Sequence, residues 1–443
     1  VLGVIFLIDN IHPDFSVWRN LVRYWPFVLI GFGVLRLAEV LFDAGQPAPA
    51  GPRLPRRGSG GGFGLIVLLC FLFWAADHLQ NHVRINGLPV GGLDVFGDTF
   101  EYPVSGTGSA AGVNLVVLEG LRGNVSVTGG EGDDYSAEGQ KTVRSYNKSD
   151  ADLADRETQL KFVREDNRLV VRMDGAQVSN GRRVSADIDL KVPKGVSIEL
   201  HGRSGDVTVS SLLGTVAVAT DRGDVRLYDI GGDAKLTVAH SGLVRVVNAK
   251  GAVGVEGSGA DLHIENVAGE VTVNGSYSGT LEFKNLAQPL HLQSPQTEMR
   301  VEKLPGSLTL DLGELRANNI GGPMRLRTKS RDIHIEEFTD SLDLDVTARG
   351  DIQISNSKAP TGKIDLHTRN GDISIALPEK AEFDLSATTN QGEAHNDYGP
   401  AVKLGLDGRS STLRSVNGSG EQIVANTNRG SISVAKSSRS HDE

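Results

Sequence analysis

Between Ser204 and Ala394 the chain repeats itself, and that repetition limits its fold more than any other feature. Gly205-Asp206-Val207-Thr208-Val209 recurs as Gly223-Asp224-Val225-Arg226-Leu227, as Gly350-Asp351-Ile352-Gln353-Ile354 and as Gly371-Asp372-Ile373-Ser374-Ile375. Degenerate copies lie between them. The first apolar residues of the copies are Val207, Val225, Val244, Leu262, Leu281, Met299, Leu315, Ile333, Ile352, Ile373 and Ala394, spaced near 19 residues apart with extremes of 16 and 21. A fixed period of this size is the mark of a solenoid.

A second strand keeps the same rhythm between the copies, as in Val216-Ala217-Val218, Val253-Gly254-Val255 and Leu342-Asp343-Leu344. Both strands alternate apolar and polar, the pattern of a sheet with one buried face. One turn buries too few aliphatic side chains to offset the entropy of ordering it, so turns must stack. Continuing the inward parity past the first strand lands on Asn248, Asn266, Asn285, Asn319 and Asn356, with Ser211 and Asp229 in the early turns. The expectation is an inward ladder of side-chain amides at this corner. Glycine marks the other corner at Arg222-Gly223, Arg349-Gly350 and Asn370-Gly371, where it supplies positive φ. The predicted fold is mainly β: a parallel β-solenoid of about ten turns with a β-strand N-terminal cap, preceded by an α-helical transmembrane region.

Asp189-Leu190-Lys191-Val192-Pro193-Lys194-Gly195, followed by Ser204-Gly205-Asp206-Val207 and the Gly-Asp-Ile repeats, resembles the bacterial putative-adhesin β-helix family over roughly residues 99–434. The resemblance implies a fold and an adhesin-like role, and brings no catalytic residue with it. Leu7-Ile8-Asp9-Asn10 and Tyr24-Trp25-Pro26, with the aliphatic run containing Gly31 and Gly33, resemble the membrane region of Lia-type bacterial envelope-stress proteins over residues 1–42. That second resemblance implies regulation of a membrane sensor kinase.

The first 77 residues differ from the rest in composition. Val1 to Ile8 reads as the tail of a first span, Pro13 to Trp25 as an interfacial helix, Trp25 to Phe42 as a second span and Gly61 to Ala76 as a third. Arg36 and Glu39 are expected to pair on one face of the second span. Arg53, Arg56 and Arg57 put the 43–60 loop in the cytoplasm by the positive-inside rule, and the solenoid outside a bacterial cytoplasmic membrane. Residues 78–98 form a tether, 99–203 a β-strand cap module, 204–394 the solenoid and 395–443 a C-terminal cap and tail. Lys148 to Glu157 is the one helix expected in the cap module.

A net charge of −10 argues against a nucleic-acid binder, and the single cysteine, Cys70, excludes an intrachain disulfide. No cofactor is implied. The first strand's outward positions form a mostly basic stripe containing Arg226, Arg245, His263, Arg300, Arg316 and His334, which suggests an anionic partner. On the second strand Asp343, Asp365 and Asp384 form an acidic column, one residue per turn, able in principle to hold a cation or to do glycosidase chemistry. The two Arg-Gly-Asp triplets, Arg222 to Asp224 and Arg349 to Asp351, fall on the repeat's own corner and read as turn formers. These features predict a membrane-anchored, non-enzymatic scaffold that binds a protein partner or an envelope polymer, as a homo-oligomer or a subunit of a membrane complex. The alternative is a carbohydrate-active β-helix enzyme.

Overall fold

A computed structural model describes residues 98–173 and 183–437. Two ladders of short strands face each other across a core of Val, Leu and Ile side chains. Ladder A contains strands such as Val216–Arg222, and ladder B strands such as Val225–Ile230. Val207, Val225 and Val244 stand in register in one buried column of ladder B. Val216, Ala234 and Val253 do the same in ladder A. The helix Lys148–Glu157 forms where its polar sequence predicts, with Asn147 capping it by accepting from Asp150 N at 2.8 Å. Lys141, almost fully buried, donates to the carbonyls of Asp155 and Thr158 and so ties the helix down.

The expected fold class needs correcting. Among the described residues no helix is long and apolar enough to cross a membrane, and the one just named has ten residues. The structure described is nearly all β. The expected spans, and the Arg36–Glu39 pair, lie outside the described residues.

Nor is the solenoid parallel throughout. Leu290–Gln293 continues ladder A in parallel, but the chain then turns back at Ser294–Gln296 and Thr297–Val301 pairs antiparallel with it. The chain crosses to ladder B, where Leu304–Leu310 also runs reversed, and a second hairpin at Asp311–Gly313 restores the original direction. Met299 therefore lies in ladder A, against Leu292 and Leu326, although its spacing suggests ladder B. Leu308 lies in ladder B, against Phe283 and Ala317. Reversing a strand preserves the alternation of inward and outward residues, so hydrophobic pattern cannot detect it. The 16-residue step from Met299 to Leu315 is the trace it leaves.

At each end the order of stacking departs from the order of sequence. The turn Leu115–Arg122 with Val125–Gly130 lies between Arg168–Met173 with Arg183–Pro193 and Ser197–Ser204 with Val207–Leu212. Likewise Glu421–Arg429 with Ile432–Lys436 slots between Ile364–Asn370 with Ile373–Leu377 and Phe383–Gln391 with Ala394–Asp397. The last turn in sequence is thus an interior turn of the stack.

The asparagine corner forms a ladder, but on the outside. Asn248 Nδ2 donates to Asp229 Oδ1 at 2.8 Å, Asn266 to Asn248 at 3.0 Å and Asn285 to Asn266 at 2.9 Å. All four residues are exposed and left-handed, with φ between 51° and 61°. That conformation turns the chain and flips the parity, so the next residue (Ile230, Ala249, Val267 or Leu286) points inward instead. Asn356 is the exception, buried and donating to Phe338 O at 2.7 Å.

Candidate functional site

The outward side chains of ladder B make one continuous row. Arg226, Arg245, His263 and Glu282 follow each other on adjacent strands, and Thr309, Arg316, His334 and Gln353 continue it beyond. Five of the six residues of the expected basic stripe are brought together here. Arg300 is not: the strand reversal moves it to ladder A, between His291 and Arg325.

Carboxylates accompany most of these cations. Arg226 lies 2.5 Å from Asp224 and 3.3 Å from Asp206. His263 is clamped between Glu282 at 2.6 Å and Glu265 at 3.1 Å. Arg300 meets Glu302 at 2.6 Å, Arg316 meets Glu314 at 2.8 Å and His334 meets Glu336 at 2.8 Å. Lys284, 2.5 Å away, and then His263 hold the Glu282 carboxyl below its ordinary range against the opposing effect of burial. Arg316 does the same to Glu314 and is itself pushed up by that pair. Arg245 stands apart, its Nε buried without a hydrogen-bond partner. As a surface the row is a mosaic of ion pairs rather than a free basic stripe.

The acidic column is broken by the inserted last turn. Asp343 and Asp365 are neighbours in ladder A, bonded to Arg325 at 2.9 Å and Lys363 at 3.2 Å. Beyond Asp365 comes Val424, and Asp384 lies a further strand away and two residues out of register, opposite Gln422. Among the described residues no group of three or more His, Cys, Asp or Glu side chains is placed to hold a metal ion.

The Asp residues of the Gly-Asp corners hold the corners together. Asp332 Oδ1 accepts from Asp351 N at 3.0 Å, Asp351 from Asp372 N at 2.8 Å and Asp372 from Ser431 N at 2.6 Å. Asp224, in the first Arg-Gly-Asp triplet, accepts from Leu243 N at 2.9 Å. Both triplets thus commit their carboxylates to backbone amides of the next turn in the stack.

One feature of ladder B escaped sequence reasoning. The reversed strand presents Ser307 and Thr309 outward, with Lys284 and Glu282 opposite them on one side and Asn318 and Arg316 on the other. Two short hydroxyl side chains between longer ones leave a trough of about 530 Å³, walled by Glu314, Arg316, Asn318, His334 and Glu336. Its lining carries both donors and acceptors, and its charged members pair as Arg316–Glu314 and His334–Glu336. The signal for it was the broken period, since only the reversal brings Ser307 and Thr309 into this row.

A solved protein from Clostridium sporogenes, described as a putative cell adhesion protein, aligns over 76% of this chain and 100% of its own length. Identity is 9% and the TM-score 0.17, too low for that likeness to support an argument. No curated protein matches the sequence. The family match runs over residues 115–435, starting at the first strand of the stacked turns and ending at the last. It does not reach residues 1–42, where the Lia-type resemblance rests. With well over half of its 443 residues in that match, the chain belongs to the Toastrack DUF4097 family.

Proposed function

We propose that this protein is a non-enzymatic binding module whose contact surface is the trough on ladder B, and that it takes a hydroxyl-rich, uncharged polymer such as a polysaccharide strand. The observation that carries this is the composition of the trough. Ser307, Thr309 and Asn318 offer neutral hydrogen-bonding groups, flanked by charged side chains that pair with one another. A backbone already ordered by stacking lowers the ordering cost of binding. An anionic polymer is a poorer fit than the sequence suggests, because carboxylates already answer Arg226, His263, Arg316 and His334.

Glu314 is poorly suited to serve as the acid of a glycosidase. A glycosidase acid must stay protonated near neutral pH, which requires a carboxyl pushed upward. Glu314, in the trough wall, is pulled downward by Arg316.

A glycan array probed with the full chain and with Thr309→Arg tests the proposal. The arginine would fill the trough from an outward position, so the fold should persist by circular dichroism while glycan retention falls at least tenfold. Equal retention by both proteins, or none by the wild type, would overturn it.

A further inference from the structure

The strand Val402–Asp407 ends ladder A. It pairs antiparallel with Ser410–Ser415, and among the described residues no strand pairs with its other edge, where only the Val402 backbone is taken, by Gly399 O and Asn396 Nδ2. Open strand edges are usually blunted or covered, because they offer unpaired backbone groups to any extended chain. This one also exposes two leucines, Leu404 at 48% and Leu406 at 75%.

Backbone parity shows which groups are on offer. Gly405 O accepts from Thr412 Oγ1 at 3.4 Å, and Val416 N donates to Ala401 O at 2.9 Å, so residues 401 and 405 turn towards the hairpin partner. By the alternation of an antiparallel strand, the amides and carbonyls of Leu404 and Leu406 turn to the open edge.

The sequence of this edge is complementary to itself. An antiparallel copy related by a two-fold axis at Gly405 sets Leu404 opposite Leu406, and Lys403 opposite Asp407. The backbone groups of Leu404 and Leu406 then meet each other as a hydrogen-bonded pair, in the register the parity requires. Within its own hairpin Lys403 sits across from Arg414, a like charge. The second copy would answer it with a carboxylate. A two-fold interface needs one patch that complements itself, and this strand is such a patch.

We infer that Val402–Asp407 joins two copies of this chain edge to edge, as a continuous sheet through ladder A of both. The inference is independent of the trough and of the ligand proposed for it. Sedimentation equilibrium of the full chain, in mild detergent because of its apolar first 77 residues, should show a monomer–dimer equilibrium. Lys403→Asp and Asp407→Lys each set like charges opposite each other twice per dimer, and each should weaken association about tenfold. The double exchange of Lys403→Asp with Asp407→Lys restores both pairs and should restore the dimer. Both side chains are exposed, so none of these changes threatens the fold. A wild type that stays monomeric, single variants that associate like the wild type, or a double exchange as weak as the single ones would each overturn the inference.

Discussion

The two corners of each turn reverse the chain by opposite means. At the Gly-Asp corner the backbone of successive turns comes so close that a side chain has no room: a Cβ on Gly223 would lie 2.0 Å from Gly205 O, and φ there is +122°. At the asparagine corner side chains are present, exposed and bonded to each other, with the backbone left-handed near φ 55°. One corner is closed by sterics and by hydroxyls buried beneath it, with exposed carboxylate bonds added at its surface; the other has only a surface ladder that water can replace. Repetition alone therefore says little about how much each corner contributes, and burial of the groups decides it.

The closed corner has a second component. Buried hydroxyls at the end of ladder A donate to the corner glycine carbonyl of the adjacent turn: Ser241 to Gly223 O at 2.9 Å, Thr368 to Gly350 O at 2.8 Å, Thr427 to Gly371 O at 2.9 Å and Thr389 to Gly430 O at 2.7 Å. The last three bonds follow the stack in the order 350, 371, 430, with the inserted last turn in its place. The carboxylate bonds from Asp351 to Asp372 and from Asp372 to Ser431 trace the same order.

The largest expected effect separates the corners outright. Gly223→Ala must move backbone against backbone in a left-handed conformation, and should destabilise the solenoid by roughly 3 kcal/mol or more. Denaturant unfolding followed by circular dichroism measures it. A loss equal to that of Asn266→Ala would erase the distinction between the two corners. Thr368→Val is expected to be intermediate. It keeps the shape of a fully buried side chain but leaves Gly350 O without its hydroxyl, for about 1–2 kcal/mol. A change near zero would mean that the hydroxyl column is incidental to the closed corner.

How much of this was legible follows from what each signal encodes. The period fixes stacking, and the buried column of Val207, Val225 and Val244 stands as its alternation requires. Parity was misleading at the asparagine corner, because a single left-handed residue flips it and no count of alternating residues registers a change in φ. Direction was invisible between Thr297 and Leu310, since Met299 points inward whichever way its strand runs. That blind spot hid the trough and misplaced Arg300. The order of turns at the ends was invisible as well, because Ile423 and Ile432 match the repeat equally well at the end of the stack or inside it. Threonine three residues before the corner glycine, at 368 and 371, 389 and 392, and 427 and 430, was readable and marks the hydroxyl column, whereas Thr220, at the same spacing from Gly223, bonds to Arg222 O instead.

The smallest expected effect tests the open corner from its own side. Asn266 donates to Asn248 and accepts from Asn285, both bonds exposed to water, and its φ is +56°. Changing it to alanine removes both bonds and leaves a Cβ in a left-handed conformation, at a cost of roughly 1–2 kcal/mol. Changing it to glycine removes the same bonds but relieves the backbone, so the net change should stay within about 0.5 kcal/mol. The difference between the two variants isolates the conformational preference from the ladder, and unfolding midpoints measured side by side give it directly. If glycine cost as much as alanine, the amide ladder itself would be holding the corner, and the contrast with Gly223 would be one of degree. If glycine were neutral, asparagine would be there because it tolerates the turn, with the ladder following from stacking like residues in like conformations.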